Sequence, residues 1–427
     1  MMRRWVCLIL GLSVVVSATT LQEAITQGMN RNQMIASKEK AIATSQSRTN
    51  EIQSLNGFNL SANADAGYAK SNTTYQKFAD ANQKFVSYGT GITASKSLFN
   101  MRNIRLLDRS QIDTARTELE YKKAKEELVL KIVEQYLNTL LKRETLLTTE
   151  AKLLYTTKRV QEYQKKFDEG IATLPDLLDA QTALYMVKSD RVQLENDYNS
   201  TLQMLRATIG DETASVESVD SEASGIDNEL KPLDVYLKNS SEGFVGHLYE
   251  ALIAQGYRKD RETISAERYP QVDLQLNGTT TTATDGYFGK TETERLYAGV
   301  SVRWNMYNGG QREDKEKTAL LQMEESALRL EQQKRDISSM VQRYYNDIQS
   351  QKSALVTYQK AIQAAQEYQK ALERGYELGV RKITDLLEAK NRVENAKLQY
   401  QKGRLQMVSA GYSLRYYGAE YSSAIQD

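Results

Sequence analysis

The stretch FDEGIATLPDLLDA, residues 167–180, recurs 209 positions later as YELGVRKITDLLEA, residues 376–389. Upstream of these two segments, Leu98-Phe99-Asn100 matches Met306-Tyr307-Asn308 at a shift of 208 positions. Two matches at nearly the same shift indicate that the chain contains an internal duplication.

The duplication divides the chain into five predicted segments. Residues 1–18 are a signal peptide, 19–210 the first repeat and 243–420 the second. Residues 211–242 join the repeats. This joint is acidic and contains glycine and proline, which predicts a helix-poor linker with local structure of its own. Residues 421–427 form a C-terminal tail.

The N-terminus has the three parts of a secretory signal. Arg3 and Arg4 supply positive charge, residues 6–16 are apolar, and small residues end at Ala18. The apolar run is shorter than the roughly 20 residues that a membrane span needs. We therefore expect cleavage after Ala18 and a mature chain that begins at Thr19.

Each repeat contains two segments in which apolar and polar residues alternate with the period of a β-strand. The apolar faces are Leu60, Ala62, Ala64, Ala66 and Tyr68; Tyr88, Thr90, Ile92 and Ala94; Val272, Leu274 and Leu276; and Leu296, Ala298, Val300, Val302 and Trp304. Strands of about 10–13 residues suit a tilted crossing of a bilayer. A half-buried soluble sheet fits the same alternation. Since a transmembrane barrel needs about eight strands, four strands that span lipid require several chains.

Two runs are too long for helices of an ordinary globular domain. Residues 103–167 and 311–374 contain neither proline nor glycine, so each predicts a helix of about 95 Å. Apolar residues recur every seven positions, which indicates coiled-coil packing between neighbouring helices. These seams are Val133, Leu140, Leu147 and Leu154 in the first run, and Val341, Ile348, Leu355 and Ile362 in the second. Glycine breaks at Gly170 and Gly379 predict a turn and a returning helix in each repeat.

Composition excludes several classes of function. The net charge of +1 gives no basic excess for nucleic-acid binding. His247 and Cys7 are the only histidine and cysteine, and the sequence shows no phosphate loop or metal-ligand cluster. We therefore predict no catalytic residues, no metal site and no cofactor, and interpret His247 as a surface or packing residue.

The motifs at the strand-to-helix junctions and at the turns resemble those of the TolC-like outer-membrane efflux proteins. The resemblance rests on residues 98–101 (LFNM), residues 307–312 (YNGGQR), and the two duplicated turn segments. It implies an α+β membrane protein, mostly of long coiled-coil helices, with four transmembrane strands per protomer. Three protomers would form a 12-stranded barrel and a twelve-helix periplasmic tunnel.

The resemblance also assigns roles at the helix turns. It implies that Asp176, Tyr376, Arg381, Asp385 and Glu388 form a periplasmic gate and that Gly170 and Gly379 lie where an adaptor docks. The residues themselves allow a simpler interpretation. Asp385 at a helix N-cap with Glu388 three residues later is a capping pattern, and Thr173 with Asp176 around Pro175 can form another. The two glycines suit helix ends. Both interpretations remain open for the sequence alone.

The resulting expectation is a passive trans-periplasmic duct in a tripartite efflux pump or a type I secretion system. The implied partners are two further copies of the chain, outer-membrane lipid, a periplasmic adaptor protein and an inner-membrane RND or ABC transporter. The alternative is a structural periplasmic coiled-coil protein without channel activity.

Overall fold

A computed structural model describes residues 18–73, 81–217, 230–285 and 289–420. Residues 1–17 of the predicted signal peptide and the predicted tail, 421–427, lie outside the described residues. The described chain is mostly helical and carries one four-stranded sheet.

The two repeats have the same order of long elements. In the first repeat these are β1 (Ala18–Thr19), α1 (Leu21–Arg31), α2 (Gln33–Ser54), β2 (Phe58–Thr73), β3 (Ala81–Phe99), α3 (Met101–Asp168) and α4 (Leu174–Ile209). After the short β4 (Ser215–Val216) come α5 (Leu233–Gly243), α6 (Val245–Ser265), β5 (Gln271–Asp285), β6 (Gly289–Arg303), α7 (Gln311–Glu377) and α8 (Ile383–Tyr417). The uninterrupted lengths of α3 and α7, 68 and 67 residues, confirm the two predicted long helices.

Helix α5 corrects the prediction that residues 211–242 are helix-poor. Pro232 occupies the position before its first residue, where its missing N–H group does no harm. Tyr236 then packs into a hydrophobic core, so burial stabilises a helix that local composition disfavours.

The chain divides into two compact units, each described separately. The sheet unit comprises the described residues within 38–120 and 248–331, and the helical unit those within 1–37, 121–247 and 332–427.

In the sheet unit, the strands run antiparallel in the order β2-β3-β5-β6. The register aligns the predicted faces across all four strands. Leu60, Ala94, Leu276 and Ala298 form one row, and Asn63, Gly91, Thr279 and Arg295 form a row of the opposite parity. The predicted segregation into an apolar and a polar face is therefore confirmed.

The strands are longer than predicted, at 15 to 19 residues. The predicted lengths covered only the alternating apolar part. Beyond it, threonine-rich segments such as residues 279–284 continue the ladder against β6, because a β-branched residue favours extended backbone even where it is polar.

In the helical unit, buried apolar side chains from α1, α3, α4, α5, α7 and α8 form one core. Tyr136 of α3 lies inside it, and its hydroxyl donates to the carbonyl of Thr19 at 2.8 Å and accepts from the amide of Glu217 at 3.0 Å. These bonds fasten the parallel β1–β4 pair onto the long helix.

The heptad seams are buried over only part of their length. Val133, Leu140, Val341 and Ile348 are all buried, but Leu147 and Leu154 are 53% and 56% exposed. Within the described residues of one protomer, the first seam is therefore buried at Val133 and Leu140 but only partly covered at Leu147 and Leu154.

His247 is a packing residue rather than a surface one. It is buried, its Nδ1 lies 3.0 Å from the carbonyl oxygen of Ser240, and its ring meets the edge of Phe244. Burial lowers the pKa of His247, which keeps the imidazole neutral. Among the described helices, none combines the length and the apolar character that a membrane-spanning helix requires.

Candidate functional site

The first turn, between α3 and α4, is closed by backbone hydrogen bonds around Gly170. The amide of Gly170 donates to the carbonyl of Phe167 at 2.9 Å, and the amide of Ile171 donates to that of Lys166 at 2.8 Å. This pair of bonds is the Schellman motif that ends many helices. It requires a left-handed residue, and Gly170 has a φ of +72°, a conformation that glycine adopts without strain.

The second turn, between α7 and α8, repeats the first bond for bond. The amide of Gly379 donates to the carbonyl of Tyr376 at 2.9 Å, and that of Val380 donates to the carbonyl of Gly375 at 2.9 Å. Gly379 has a φ of +74°. The matching geometry shows that the sequence duplication is also a duplication of local structure.

Asp176 caps the N-terminus of α4. Its Oδ2 accepts from the amide of Thr173 at 3.0 Å and from the Thr173 hydroxyl at 2.6 Å, while the Asp176 amide reaches that hydroxyl at 3.4 Å. Hydrogen bonds from the side chain and backbone of Thr173 lower the pKa of Asp176. Asp176 is exposed, so it carries a negative charge toward solvent while it caps the helix.

Contrary to the prediction, Asp385 is not the N-cap of α8, because the helix begins at Ile383 and Lys382 occupies the N-cap position. Asp385 instead lies at the third helical position and forms half of a cap like that of α4. Its Oδ2 accepts from the amide of Lys382 at 3.4 Å. Lys382 stands where Thr173 stands in the first repeat, and a lysine side chain has no acceptor atom. The reciprocal bond is therefore missing, and the second cap is the weaker one.

Of the remaining predicted gate residues, Glu388 forms an ion pair, whereas Tyr376 and Arg381 are exposed at the second turn. Glu388 pairs with Arg392 one turn later at 2.8 Å. Arg381 and Tyr376 are exposed. The backbone of Gly375 leaves room for the Arg381 side chain, because a Cβ there would lie 2.7 Å from Arg381 Cγ. In the described part of one protomer, Arg381 forms no ion pair with Asp176, whose carboxylate accepts hydrogen bonds from Thr173.

The structure adds charged contacts that sequence reasoning missed. Arg159 of α3 reaches Asp179 of α4 at 3.5 Å, which ties the two helices of the first hairpin together. Glu162 of α3 pairs with Lys166 at 2.6 Å. Burial alone would raise the pKa of Glu162. Hydrogen bonds from Lys166 and Thr384 and the positive charge of Lys382 outweigh burial, so the pKa is lowered.

Glu162 thereby brings α3 close to the first turn of α8. Only the Glu162–Lys166 spacing of four residues, typical of helix ion pairs, was visible in the sequence. The contacts between helices join segments far apart in the chain and leave no local signal.

Apolar side chains surround both turns and are left uncovered. Ile171 and Val380, which follow the two glycines, are 72% and 74% exposed, and Leu174 and Leu378 are also exposed. The turns therefore present apolar side chains beside carboxylates. Across the described ranges, no group of three or more acidic, histidine or cysteine side chains is placed to hold a metal ion.

The model of the family named outer membrane efflux protein matches residues 24–211 and 255–417. The chain belongs to the outer membrane efflux protein family. The two matched segments fall on the two structural repeats, and each includes one of the glycine turns.

Individual relatives are distant in sequence. The chain is 22% identical to outer membrane protein TolC of Vibrio cholerae over 329 residues, which cover 76% of this chain and 75% of the relative. It is 20% identical to the alkaline protease secretion protein AprF of Pseudomonas aeruginosa over 349 residues, or 79% and 71% of the two chains. The fold matches the CmeC outer membrane channel of Campylobacter jejuni with a TM-score of 0.75 at 12% identity, covering 95% and 88%.

Membership of this family settles the broad class of function. The protein is a transport channel of the bacterial outer membrane that extends into the periplasm, and it is not an enzyme.

Proposed function

We propose that this chain is the outer-membrane duct of a tripartite efflux pump or of a type I secretion system, and that it assembles as a homotrimer gated at the helix turns. The observation that carries the proposal is the exposed apolar face of the sheet. Leu296 is 89% exposed and Leu60 is 72% exposed, and Ile92, Val300 and Val302 share their face. Such a contiguous apolar surface is unfavourable in water and suits contact with lipid.

The two outer strands supply the reason for assembly. Within the described sheet, β2 pairs only with β3, and β6 pairs only with β5, so 15 or more residues on each edge strand have backbone groups free along one side. Long exposed edges invite pairing with another chain. Since β2 and β6 run antiparallel to each other, β6 of one copy can pair antiparallel with β2 of the next, and a ring of copies closes.

The number of copies follows from barrel size and from the family. Two copies supply eight strands, which reaches the smallest known transmembrane barrel, and three supply twelve. The trimer rests on the family resemblance. It gives a barrel of 12 strands, and α3, α4, α7 and α8 of each protomer line a tunnel of twelve helices.

The gate is proposed at the two turns. Threefold symmetry repeats Asp176, Asp385 and Glu388 around one axis, and a ring of carboxylates favours cations over anions. Arg381 and Asp176 do not pair within a protomer, so we assign their ion pair to the contact between protomers. One exposed pair contributes about 0–1 kcal/mol, so closure requires several such pairs acting together.

The proposed partners meet the channel at the same end. A periplasmic adaptor docks beside Gly170 and Gly379, where the exposed side chains of Ile171 and Val380 offer apolar contacts. An inner-membrane RND or ABC transporter supplies the substrate. The similar protein AprF is named for secretion of an alkaline protease. Type I secretion is therefore a candidate function as well as efflux.

Cross-linking between edge strands tests the assembly. In a Cys7→Ser background, Asn63→Cys of β2 is combined in turn with Thr293→Cys, Arg295→Cys or Tyr297→Cys of β6, and the membranes are oxidised. We expect at least one combination to give a ladder that ends at three chains. Asn63→Cys alone is the matched control. A ladder that ends at two chains contradicts the trimer, and no ladder from any combination contradicts closure through these edges.

A structural coiled-coil protein was the alternative that the sequence alone left open. It accounts for α3 and α7 but gives no role to a sheet with an exposed apolar face. We therefore favour the channel.

A further inference from the structure

A polar pocket of about 420 Å³ lies in the sheet unit, where α6 leads into β5. Its lining comes from the start of α3, the end of α6, the segment before β5 and the start of α7. Its charged lining residues are Arg105, Arg258, Arg261, Glu262, Arg268 and Glu316. Four guanidinium groups therefore face two carboxylates.

The two carboxylates do not neutralise the four arginines. Glu262 is shared by Arg105 at 3.6 Å and Arg258 at 3.7 Å, and Lys259 also reaches it at 2.9 Å. Asp108, outside the lining, is a further partner of Arg105 at 3.3 Å and of Lys259 at 3.7 Å. Glu316 is 2.9 Å from Arg268. Among the described residues, Arg261 forms no ion pair or hydrogen bond, and it is exposed. The pocket thus keeps an excess of positive charge and one guanidinium free to bind a ligand.

Two exposed aromatic side chains lie beside the pocket, at the end of the apolar face of the sheet. Trp304 continues the apolar face of β6, and its indole N–H donates to the carbonyl of Arg268 at 3.0 Å. Tyr269 lines the pocket itself, and both rings are about half exposed. Aromatic residues at the end of an apolar strand face are typical of the interface between lipid and water.

The arginine cluster belongs to one repeat only. Residues 255–268, which end two residues before β5, contain Arg258, Lys259, Arg261 and Arg268. The corresponding end of α2 in the first repeat, residues 41–54, contains a single basic residue, Arg48. A helix in this position therefore folds without the cluster, so the fold does not demand it.

We propose that this pocket binds the phosphate of an anionic phospholipid at the periplasmic surface of the outer membrane. Guanidinium groups bind phosphate oxygens through paired hydrogen bonds, and basic pockets at membrane level are known to hold lipid headgroups. The spacing of three residues puts Arg258 and Arg261 on one face of α6, so both can reach one phosphate. This inference rests on the proposed insertion of the sheet into the membrane.

Native mass spectrometry of the assembled full-length protein tests the site. The protein is released from detergent after incubation with phosphatidylglycerol, with phosphatidylcholine, or with phosphatidylglycerol plus excess inorganic phosphate. We expect bound phosphatidylglycerol to exceed phosphatidylcholine, and the double variant R258Q/R261Q to bind roughly 10- to 30-fold less of it. The control R329Q/R343Q removes two exposed arginines that each pair with a carboxylate one turn away, and should bind as the unchanged protein does.

Three results would overturn the proposal. Equal binding of the two lipids, or equal loss in the control and test variants, would show that the cluster does not select the headgroup. Full displacement by inorganic phosphate would assign the pocket to free phosphate instead. Flotation with phosphatidylcholine vesicles separates these failures from failure of the proposed insertion, since a chain that inserts floats whether or not the pocket binds lipid.

Discussion

The amide of Gly379 donates a hydrogen bond to the carbonyl of Tyr376 over 2.9 Å. Gly170 makes the same bond to Phe167, 209 residues earlier and over the same distance. The two ends of the long helices are therefore one local structure used twice, and the candidate gate is built upon them.

Gly379→Ala is expected to strain the second turn without a clash. A Cβ at this residue meets nothing within 4 Å, but the φ of +74° costs a non-glycine residue about 1–2 kcal/mol. Chemical denaturation should show that loss, and Gly379→Asn should lose less because asparagine tolerates this conformation. Gly67→Ala is the matched control, since its Cβ also meets nothing and its φ is ordinary.

Export separates the two roles of this glycine. Bulky substitutions such as Gly379→Val should abolish export while the trimer still assembles, if an adaptor docks at the turn. Loss of export together with loss of assembly would instead support a purely structural role.

Removing the carboxylates at the turns should weaken the preference of the channel for cations. Asp385→Asn combined with Glu388→Gln removes up to six negative charges from a trimer, and Asp176→Asn removes three more. Reversal potentials across a salt gradient measure the change, with Glu325→Gln on α7, paired with Arg329, as a control that should leave selectivity unchanged. Unaltered selectivity in the double variant would contradict the acidic ring.

The acidic ring also has a defined response to pH. Because hydrogen bonds from Thr173 lower the pKa of Asp176, its carboxylate stays charged below the usual range of aspartate. The stabilising cap is present above the ordinary pKa of aspartate and is lost only as the pH falls through the lowered value. The part of the selectivity that Asp176 supplies should therefore persist in mild acid, and Thr173→Ala should shift its loss to higher pH.

Glu126 is predicted to weaken the folded state near neutral pH. It is 2% exposed, its Oε1 has no hydrogen-bond partner in the described chain, and burial raises its pKa to about 7. A carboxyl with a raised pKa stabilises the fold most when protonated. The free energy of unfolding should thus fall as the pH rises from about 4.5 toward 7.

Glu126→Gln removes this dependence. The variant should be more stable than the unchanged protein at neutral pH, by at most about 3 kcal/mol, and the two should converge in acid. Denaturation midpoints at several pH values check this, with Glu127→Gln, its less buried neighbour, as the control. If Glu126→Gln and the unchanged protein had equal midpoints at every pH, the raised pKa of a buried Glu126 would be contradicted.

Leu147 and Leu154 are expected to lie between protomers. Both continue the heptad seam of α3 and both are more than half exposed in one chain, so a neighbouring copy is the natural cover for them. Leu147→Glu should reduce the trimer recovered from membranes, whereas Lys152→Glu, at an exposed position off the seam on the same helix, should reduce it less. A full yield of trimer from Leu147→Glu would place this stretch of α3 in solvent.

Local patterns predicted much of this structure. The alternation of apolar and polar residues predicted both faces of the sheet, and the absence of proline and glycine predicted α3 and α7. The duplicated turn segments predicted both glycine turns and the cap at Asp176. Each of these features depends on residues that are close together in the chain.

Contacts between distant segments were not predictable in the same way. Nothing near Arg159 identifies Asp179 as its partner, and nothing near Glu126 shows that it is buried. The pocket around Arg261 combines residues from three helices, so its shape exists only in the fold. The exposed part of the α3 seam illustrates a different limit. Its heptad pattern predicts packing against another helix but does not say whether that helix belongs to the same protomer or to a neighbouring one.

Single-channel conductance of the processed protein in a planar bilayer tests the central claim most directly. We expect small, stable, cation-preferring steps, because a barrel of pooled strands crosses the bilayer and carboxylates line its narrow end. Correctly folded helical protein that neither inserts nor conducts would contradict the channel and favour a structural coiled-coil protein.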